Sequence, residues 1–130
     1  MEKYSHSSMR TICHTYGADL TFTEQVRFES LAKGNKASLS RIQLHDSTPT
    51  MIQIGGNREK LLEQFLSDFV PDHGFTGFNF NLCCPSKSYI RQGLGCAMIT
   101  RYTKVDRMVK MVKDYGYDVS IKLRLGLNQE

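Results

Sequence analysis

The segment Phe78–Pro85 constrains the fold more than any other, because apolar and amide side chains alternate along it before two cysteines and a proline. This alternation predicts a β-strand with one apolar face and one polar face. The apolar face carries Phe78, Phe80 and Leu82. The polar face carries Asn79 and Asn81. Asparagine is depleted in strands, and burying an unpartnered amide costs roughly 1–3 kcal/mol. The polar face therefore predicts the floor of a site, with Cys83 and Cys84 at its rim.

Two further segments place a polar side chain near the end of an apolar strand. The segment Thr50–Gly56 contains Gln53, and the segment Val119–Gly126 contains Lys122. Parallel α/β sheets bind ligands at the carboxyl ends of their strands. We therefore expect Gln53 and Lys122 to converge with Asn81 on one ligand.

Helical and extended patterns alternate along the whole chain, in the order helix, strand, weak helix, strand, helix, strand, helix, strand. Such alternation predicts a parallel sheet with crossover helices. Capping residues also predict where helices begin. They place N-caps at Ser7 or Ser8 and at Asn57, and a capping box from Thr103 to Asp106. The strand after the first helix is expected at residues 18–24.

The length and composition are those of one modest globular domain with 130 residues. No apolar run approaches the length of about 18 residues that a transmembrane helix needs, so we expect no membrane contact. The four cysteines lack the spacing of a disulfide framework or a zinc site, which indicates a reducing, cytoplasmic location. The four histidines are scattered, and no metal site is expected.

The whole chain has a formal net charge of +4, and positive charge is concentrated in one stretch of it. Between Ser86 and Lys113 the cations far outnumber the single Asp106. One interpretation is a solvated helix face. The other is a surface that attracts an anionic partner such as RNA, with Lys87 and Arg91 among its cations.

The motifs of the chain, taken in order, resemble those of the tRNA-dihydrouridine synthases. Each motif alone is weak, but the order and the separations are specific, and the resemblance extends over essentially the whole chain. The matching segments are Met1–Ser5, Gly17–Glu24, Ile52–Gly56, Asn81–Pro85, Gly93–Gly95 and Lys122–Gly126. Cys83 stands where the family usually has glycine, which leaves both Cys83 and Cys84 as candidates for a catalytic acid.

The resemblance implies an FMN-bearing (β/α)8 barrel that reduces the C5=C6 bond of selected tRNA uridines, with NADPH recharging the flavin. It implies that Cys84 protonates the uracil C5 and that Gln53 hydrogen-bonds the pyrimidine edge of the flavin. Lys122 would lie near the N1–O2 end of the ring, where a cation stabilises reduced flavin. Met1 would lie beside the ring, and Asn81 would face both the flavin and the base.

Three cations are candidates for substrate binding under the same resemblance. Lys87 and Arg91 would contact the backbone of the folded tRNA. Arg124 either contacts RNA or pairs with Glu24, and the sequence does not decide between the two.

The chain is short for such a barrel, which typically takes about 250 residues. We expect residues 1–130 to be the N-terminal portion of the catalytic domain: a partial TIM barrel, roughly its first half, with strand 1 largely missing. Half a barrel leaves two sheet edges unpaired, so association with the remaining half or self-association is expected.

Three alternatives compete with this interpretation. Another FMN barrel oxidoreductase, of the dihydroorotate dehydrogenase type, also carries an Asn-x-x-Cys-Pro stretch and a strand lysine. A non-catalytic RNA-binding fragment would depend on the basic region 86–113 and would not need Cys84. A doubly wound domain of the flavodoxin type is a weaker fold option, because no phosphate loop follows the first strand.

Overall fold

The computed structural model describes residues 4–125 as an α/β unit built on one sheet. Its strands are β1 (Thr21–Phe22), β2 (Val26–Arg27), β3 (Thr50–Gly55), β4 (Phe75–Asn81) and β5 (Val119–Lys122). Its helices are α1 (Ser7–Thr15), α2 (Phe28–Leu31), α3 (Lys36–Ile42), α4 (Glu59–Asp68), α5 (Lys87–Arg91) and α6 (Tyr102–Asp114), with a 3-10 turn at Gly95–Met98.

All strand pairs in the sheet are parallel, in the order β1-β3-β4-β5, and β2 also pairs with β3. The crossovers from β3 to β4 and from β4 to β5 run through α4 and α6. This arrangement is a parallel half-barrel, and it confirms the expected partial TIM barrel.

The apolar core lies between the sheet and the helices α4 and α6. Strands β3 and β4 contribute residues that are almost fully buried, and the helices pack leucine, methionine and valine side chains against them. The core residues at this interface include Ile52, Ile54, Phe78, Phe80, Leu62, Leu66, Met108 and Val112. The predicted apolar face of the strand beginning at Phe78 is therefore the helix-facing side of the sheet.

Five aromatic rings extend this core toward the amino ends of the strands. Their centroids lie 5.0–5.7 Å apart in tilted or edge-to-face pairs, the geometry that ring quadrupoles favour. The rings belong to Phe65, Phe69, Phe75, Phe78 and Tyr117. They hold α4 and the turn before β5 against β4.

The register across the central strands places polar residues side by side on the opposite face. Gln53 in β3 pairs with Asn79 in β4, and Asn79 pairs with Ser120 in β5. One step further along, Asn81 pairs with Lys122. Since cross-strand partners project to the same side, this face carries a row of polar side chains.

The helix starts differ from the sequence expectation. The N-cap of α1 is His6 rather than Ser7 or Ser8, the N-cap of α4 is Arg58 rather than Asn57, and α6 begins at Tyr102 without a capping box. Asn35 caps α3 by accepting the Ser38 N–H at 3.0 Å. The Asn57 side chain is used elsewhere, to hold a loop near Cys84.

Strand β1 is shorter than the predicted span 18–24, and the side that it buries is the polar one. Thr21 and Thr23 are buried, while Leu20 and Phe22 are partly exposed. Helix α1 behaves similarly, because Arg10 is its buried residue and its apolar positions are largely exposed. Within residues 4–125, no helix combines the length and the apolarity needed to cross a bilayer.

Candidate active site

A row of hydrogen-bonded side chains crosses the sheet on the face opposite the helices. The Gln53 Nε2 donates to Asn79 Oδ1 at 2.8 Å, and the Asn79 Nδ2 donates to Ser120 Oγ at 2.8 Å. Gln53 and Asn79 are buried, with exposed fractions of 6% and 4%. These bonds supply the partners that buried amides require, so the asparagines of β4 are stabilised where strand propensity disfavours them.

Asn81 connects this row to the cysteine loop that follows β4. Its Nδ2 donates to Gln53 Oε1 at 3.1 Å and to Gln25 Oε1 at 3.0 Å. Its Oδ1 accepts the backbone N–H groups of Cys83 and Cys84, each at 3.1 Å. One buried side chain thus fixes the start of the cysteine loop to the polar row.

The direction of every amide in the row follows from the cysteine end. A backbone N–H can only donate, so Asn81 must turn its oxygen toward Cys83 and Cys84 and its Nδ2 toward Gln53. Gln53 must then accept with its oxygen and donate onward to Asn79. The orientation of the amides is therefore set by the bonding pattern and does not depend on distinguishing N from O.

Cys84 is half-buried and held on both sides of its peptide unit. Its N–H is bound by Asn81, and its carbonyl oxygen accepts the Cys96 N–H at 3.1 Å. Gly95 makes that approach feasible, since a Cβ on Gly95 would lie 2.4 Å from the Cys84 oxygen. The backbone around the thiol is positioned by its neighbours rather than left as a free loop.

Asn57 ties the same loop to the carboxyl end of β3. Its Nδ2 donates to the carbonyl oxygens of Gln92 at 2.9 Å and Gly93 at 3.2 Å. Its own N–H donates to the buried Glu29 carboxylate at 2.9 Å, and its carbonyl oxygen accepts from Lys104 Nζ at 3.1 Å. The polar loop residues that follow β3 therefore anchor the segment leading into Gly95 and Cys96.

A cavity of about 750 Å³ lies against the polar row. Gln53, Asn79, Ser120 and Lys122 line it from the sheet. The other side is formed mainly by apolar and small residues of α1, β1 and the segments next to them. Asn81 and Cys84 lie outside this lining, so the polar row bridges the cavity and the cysteine loop.

Lys122 is the cation that the sheet contributes to this cavity, and Arg10 of α1 also lines it. Lys122 ends β5 next to Asn81 in register, and its side chain is exposed. Within residues 4–125 no ion pair engages its ammonium group. The charge is available to a ligand bound over the ends of β3, β4 and β5.

The structure links three of the predicted site residues by hydrogen bonds, and Lys122 lies beside them at the end of β5. Gln53 and Asn81 are directly bonded, and Cys84 is bonded to Asn81. Arg124 is partly exposed and forms no ion pair with Glu24. Met1 lies outside the described residues.

The basic region is only partly free to meet a partner. Arg107 forms a two-bond ion pair with Glu59, and Lys110 pairs with Asp106 at 2.8 Å. Lys87 and Arg91 are exposed on α5, directly after the cysteine loop, and pair with no acidic side chain of residues 4–125. The solvated-face interpretation therefore fits much of α6, while α5 keeps its charges available.

Sequence reasoning missed Gln25, Asn57 and Ser120 as members of the site. Ser120 carries a signal, because it alternates with apolar residues in a predicted strand. Gln25 and Asn57 lie in irregular segments, where periodicity says nothing about side-chain direction. Asn57 also resembles a helix cap, but its side chain bonds to the loop carbonyls of Gln92 and Gly93 instead of capping α4.

A parallel half-barrel that gathers polar side chains at the carboxyl ends of its strands defines the class of (β/α) barrel domains with a ligand site on that side. The sequence profile of the dihydrouridine synthase (Dus) family matches residues 1–130. The chain belongs to that family, and the resemblance drawn from the ordered motifs is confirmed.

Curated relatives agree with this assignment. The chain is 28% identical to the tRNA-dihydrouridine(20a/20b) synthase [NAD(P)+] of Saccharomyces cerevisiae, over 99% of the chain and 35% of the relative. It is 28% identical to a human tRNA-dihydrouridine(20a/20b) synthase [NAD(P)+]-like protein, covering 96% of the chain and 40% of the relative. A probable tRNA-dihydrouridine synthase of Aquifex aeolicus is 27% identical, with coverages of 100% and 42%. The chain thus spans well under half of each relative.

Proposed function

We propose that residues 1–130 are the N-terminal portion of the FMN-dependent catalytic domain of a tRNA-dihydrouridine synthase. The complete enzyme would act in the cytoplasm and reduce the uridine C5=C6 bond in tRNA, with NADPH as reductant. The observation that carries the proposal is the pair of hydrogen bonds that the Cys83 and Cys84 N–H groups donate to Asn81 Oδ1. They join a thiol loop to a polar row beside a cavity.

The polar row fits the pyrimidine edge of a flavin. That edge alternates carbonyl acceptors with an N–H donor, and each amide of Gln53 and Asn79 keeps a second N–H and further lone pairs after its bonds within the row. These groups suit a ring that both donates and accepts hydrogen bonds.

Lys122 fits the same ring electrostatically. When bound, a reduced flavin supplies a hydride to the substrate. The free ammonium of Lys122 would hold the N1–O2 end of the ring by stabilising negative charge there. Since no acidic group of residues 4–125 neutralises Lys122, its full charge is available for that purpose.

Cys84 has the chemistry of the proton donor. A thiol carries a proton that it can transfer as a general acid, so Cys84 could deliver a proton to the uracil C5. Cys83 shares the bond to Asn81, but only Cys84 is also anchored through its carbonyl oxygen, by Cys96. The doubly anchored residue is the better candidate for a group that must hold its thiol in place.

The exposed cations beside the cysteine loop suit the RNA backbone. The target uridine must leave its stack, which costs a few kcal/mol, and phosphate contacts can offset that cost. Lys87 and Arg91 on α5 and Arg124 after β5 are the cations that we assign to this task. They lie on segments that flank β4 and β5, whose ends carry Asn81 and Lys122.

A chimeric enzyme tests the proposal directly. The chain replaces the matching N-terminal segment of the yeast relative, and the protein is expressed in a strain that lacks that relative. We expect dihydrouridine to reappear in tRNA, measured by mass spectrometry of digested nucleosides, and purified protein to carry bound flavin. Cys84→Ala should abolish the product, whereas Ser67→Ala, at an exposed position of α4, should retain it.

Two results would contradict the proposal. A folded chimera that binds no FMN and forms no dihydrouridine would exclude a dihydrouridine synthase portion. Full product formation by Cys84→Ala would show that Cys84 is not the catalytic acid. The same experiment on Cys83→Ala would then show whether Cys83 is the acid.

A further inference from the structure

Gln25 lies between β1 and β2 and reaches the polar row from the side. Its Oε1 accepts the Asn81 Nδ2 at 3.0 Å. Its Nε2 is buried and has no hydrogen-bond partner within residues 4–125. Among the buried side-chain nitrogen and oxygen atoms of that range, it is the only one without a hydrogen-bond partner.

Gly55 provides the space in which the Gln25 amide rests. A Cβ built on Gly55 would lie 2.5 Å from Gln25 Nε2, and its other close neighbours would also be atoms of Gln25. Gly55 follows Gln53 by two positions in β3, so both point to the same face of the sheet. The Gln25 amide therefore occupies the place of a missing side chain, next to Gln53 and Asn81.

The bonding pattern explains the unpaired nitrogen. Asn81 must turn its Nδ2 away from the cysteine N–H groups, so every neighbour of Nδ2 must offer an oxygen. Gln25 offers its Oε1, which leaves its Nε2 directed at Gly55. An unmade buried hydrogen bond opposes stability, so the stability of the fold alone does not account for this glutamine.

We propose that Gln25 is a positioning residue for the cysteine loop. Its oxygen holds Asn81 in one orientation, and Asn81 in turn holds the backbone of Cys83 and Cys84. The catalytic consequence rests on the proposed function, because it concerns the thiol of Cys84. The structural link from Gln25 to the cysteine N–H groups does not.

Hydrogen exchange on the chain itself tests the structural link. Gln25→Met removes the acceptor while preserving side-chain length, so exchange at the Cys83 and Cys84 amides should accelerate about tenfold, the effect of one lost hydrogen bond. Gln25→Glu keeps an oxygen for Asn81 and should stay near wild type. Gln64→Met is the matched control, because Gln64 makes a single exposed bond to the Ala32 carbonyl.

A second variant tests the same link independently, in case Gln25→Met does not fold. Gly55→Ala leaves all amides intact but displaces the Gln25 side chain, and it should accelerate the same two amides. Unchanged exchange in both Gln25→Met and Gly55→Ala would overturn the inference. Equal acceleration in Gln25→Met and Gln25→Glu would also overturn it, since the oxygen would then not be the group that matters.

The chimeric enzyme tests the catalytic consequence. Misplacing a reacting group by a fraction of an ångström lowers turnover, so Gln25→Met should lower kcat about tenfold with KM for tRNA unchanged, and Gln25→Glu should restore it. An unaltered kcat in Gln25→Met would overturn the positioning role. If the unsubstituted chimera forms no dihydrouridine, the proposed function fails, and the exchange experiment still decides the link from Gln25 to the cysteines.

Discussion

The carbonyl oxygen of Cys84 accepts the backbone N–H of Cys96 at 3.1 Å, so two chain segments meet beside the candidate acid. Gly95 is the residue that permits this contact. It has a left-handed φ of +57°, and a Cβ in its place would lie 2.4 Å from the Cys84 oxygen and 3.0 Å from the Cys84 Cβ. The geometry of the thiol therefore depends on a residue eleven positions later in the chain.

Gly95→Ala should lower the free energy of unfolding by about 2–4 kcal/mol, because it adds a collision to the strain of a left-handed backbone. It should also change the rate at which maleimide labels Cys84. Gly34→Ala is the control, since Gly34 has a similar φ of +67° but open space around it. Urea unfolding and site-resolved labelling measure the two effects. Equal losses in both variants would mean that backbone strain alone accounts for the change.

Asn57→Ala should loosen the loop that precedes Gly95, because it removes the bonds to the Gln92 and Gly93 carbonyls. We expect trypsin to cleave after Arg91 several-fold faster, with a stability loss of about 1–2 kcal/mol. Asn35→Ala is the matched control, since it removes a helix cap of similar worth far from this loop. Identical cleavage rates in the two variants would contradict the anchoring role of Asn57.

Stability should fall in acid partly through Asp46. Hydrogen bonds lower the pKa of Asp46 from 3.8 to about 2. The largest contribution comes from the Thr11 hydroxyl and the next from Thr48. Because the folded pKa is depressed, the ionised carboxylate stabilises the fold above about pH 4, and this contribution disappears as the pH falls toward 2. Asp46→Asn should therefore reduce the slope of the melting temperature against pH between about pH 4 and pH 2. A slope equal to that of the wild type would exclude this contribution.

Thr11→Val should raise the pKa of Asp46 toward its ordinary value, because it removes the hydroxyl that contributes most to the shift. The acid-dependent loss of stability from this carboxylate should then shrink and occur at higher pH. Chemical-shift titration of the Asp46 side chain measures this directly. An unshifted titration would mean that Thr48 and the charge of Arg10 keep the pKa low without the Thr11 hydroxyl.

Lys122→Met should weaken flavin binding in the chimeric enzyme, and the reduced form should lose more affinity than the oxidised form. Under the proposed function the ammonium would stabilise the negative charge of the reduced ring, and we expect a difference of about tenfold. Lys113→Met, at the end of α6, is the control for a general change in charge. Equal weakening of both flavin forms would place Lys122 away from the N1–O2 end.

The central strands β3 and β4 and the meeting of Gln53 with Asn81 were predictable from the sequence. Alternation with period two fixes which side chains share a face, and parallel pairing brings strand ends to one side of the sheet. Both inferences hold because β3 and β4 are central strands, where the apolar face of Phe78 and Phe80 is fully buried.

Other features depend on contacts that no local pattern reveals. Thr23 is buried because its hydroxyl accepts the Gln53 backbone N–H at 2.9 Å, which replaces the usual apolar contact. Gln25 is placed by the orientation of Asn81 and by the gap at Gly55. These positions are determined by tertiary hydrogen bonds between residues some 30 to 56 apart in the chain.

The single direction of the amide row has an evolutionary consequence. Each amide accepts a hydrogen bond from the neighbour on its cysteine side and donates one to the neighbour on the other side. A carboxylate in place of the Asn79 amide could only accept, so the Ser120 hydroxyl would have to donate to it instead of accepting from it. Ser120 would then turn its proton away from the Met51 sulfur. Substitutions along the row are therefore epistatic, and lineages should exchange these residues in coupled steps rather than one at a time.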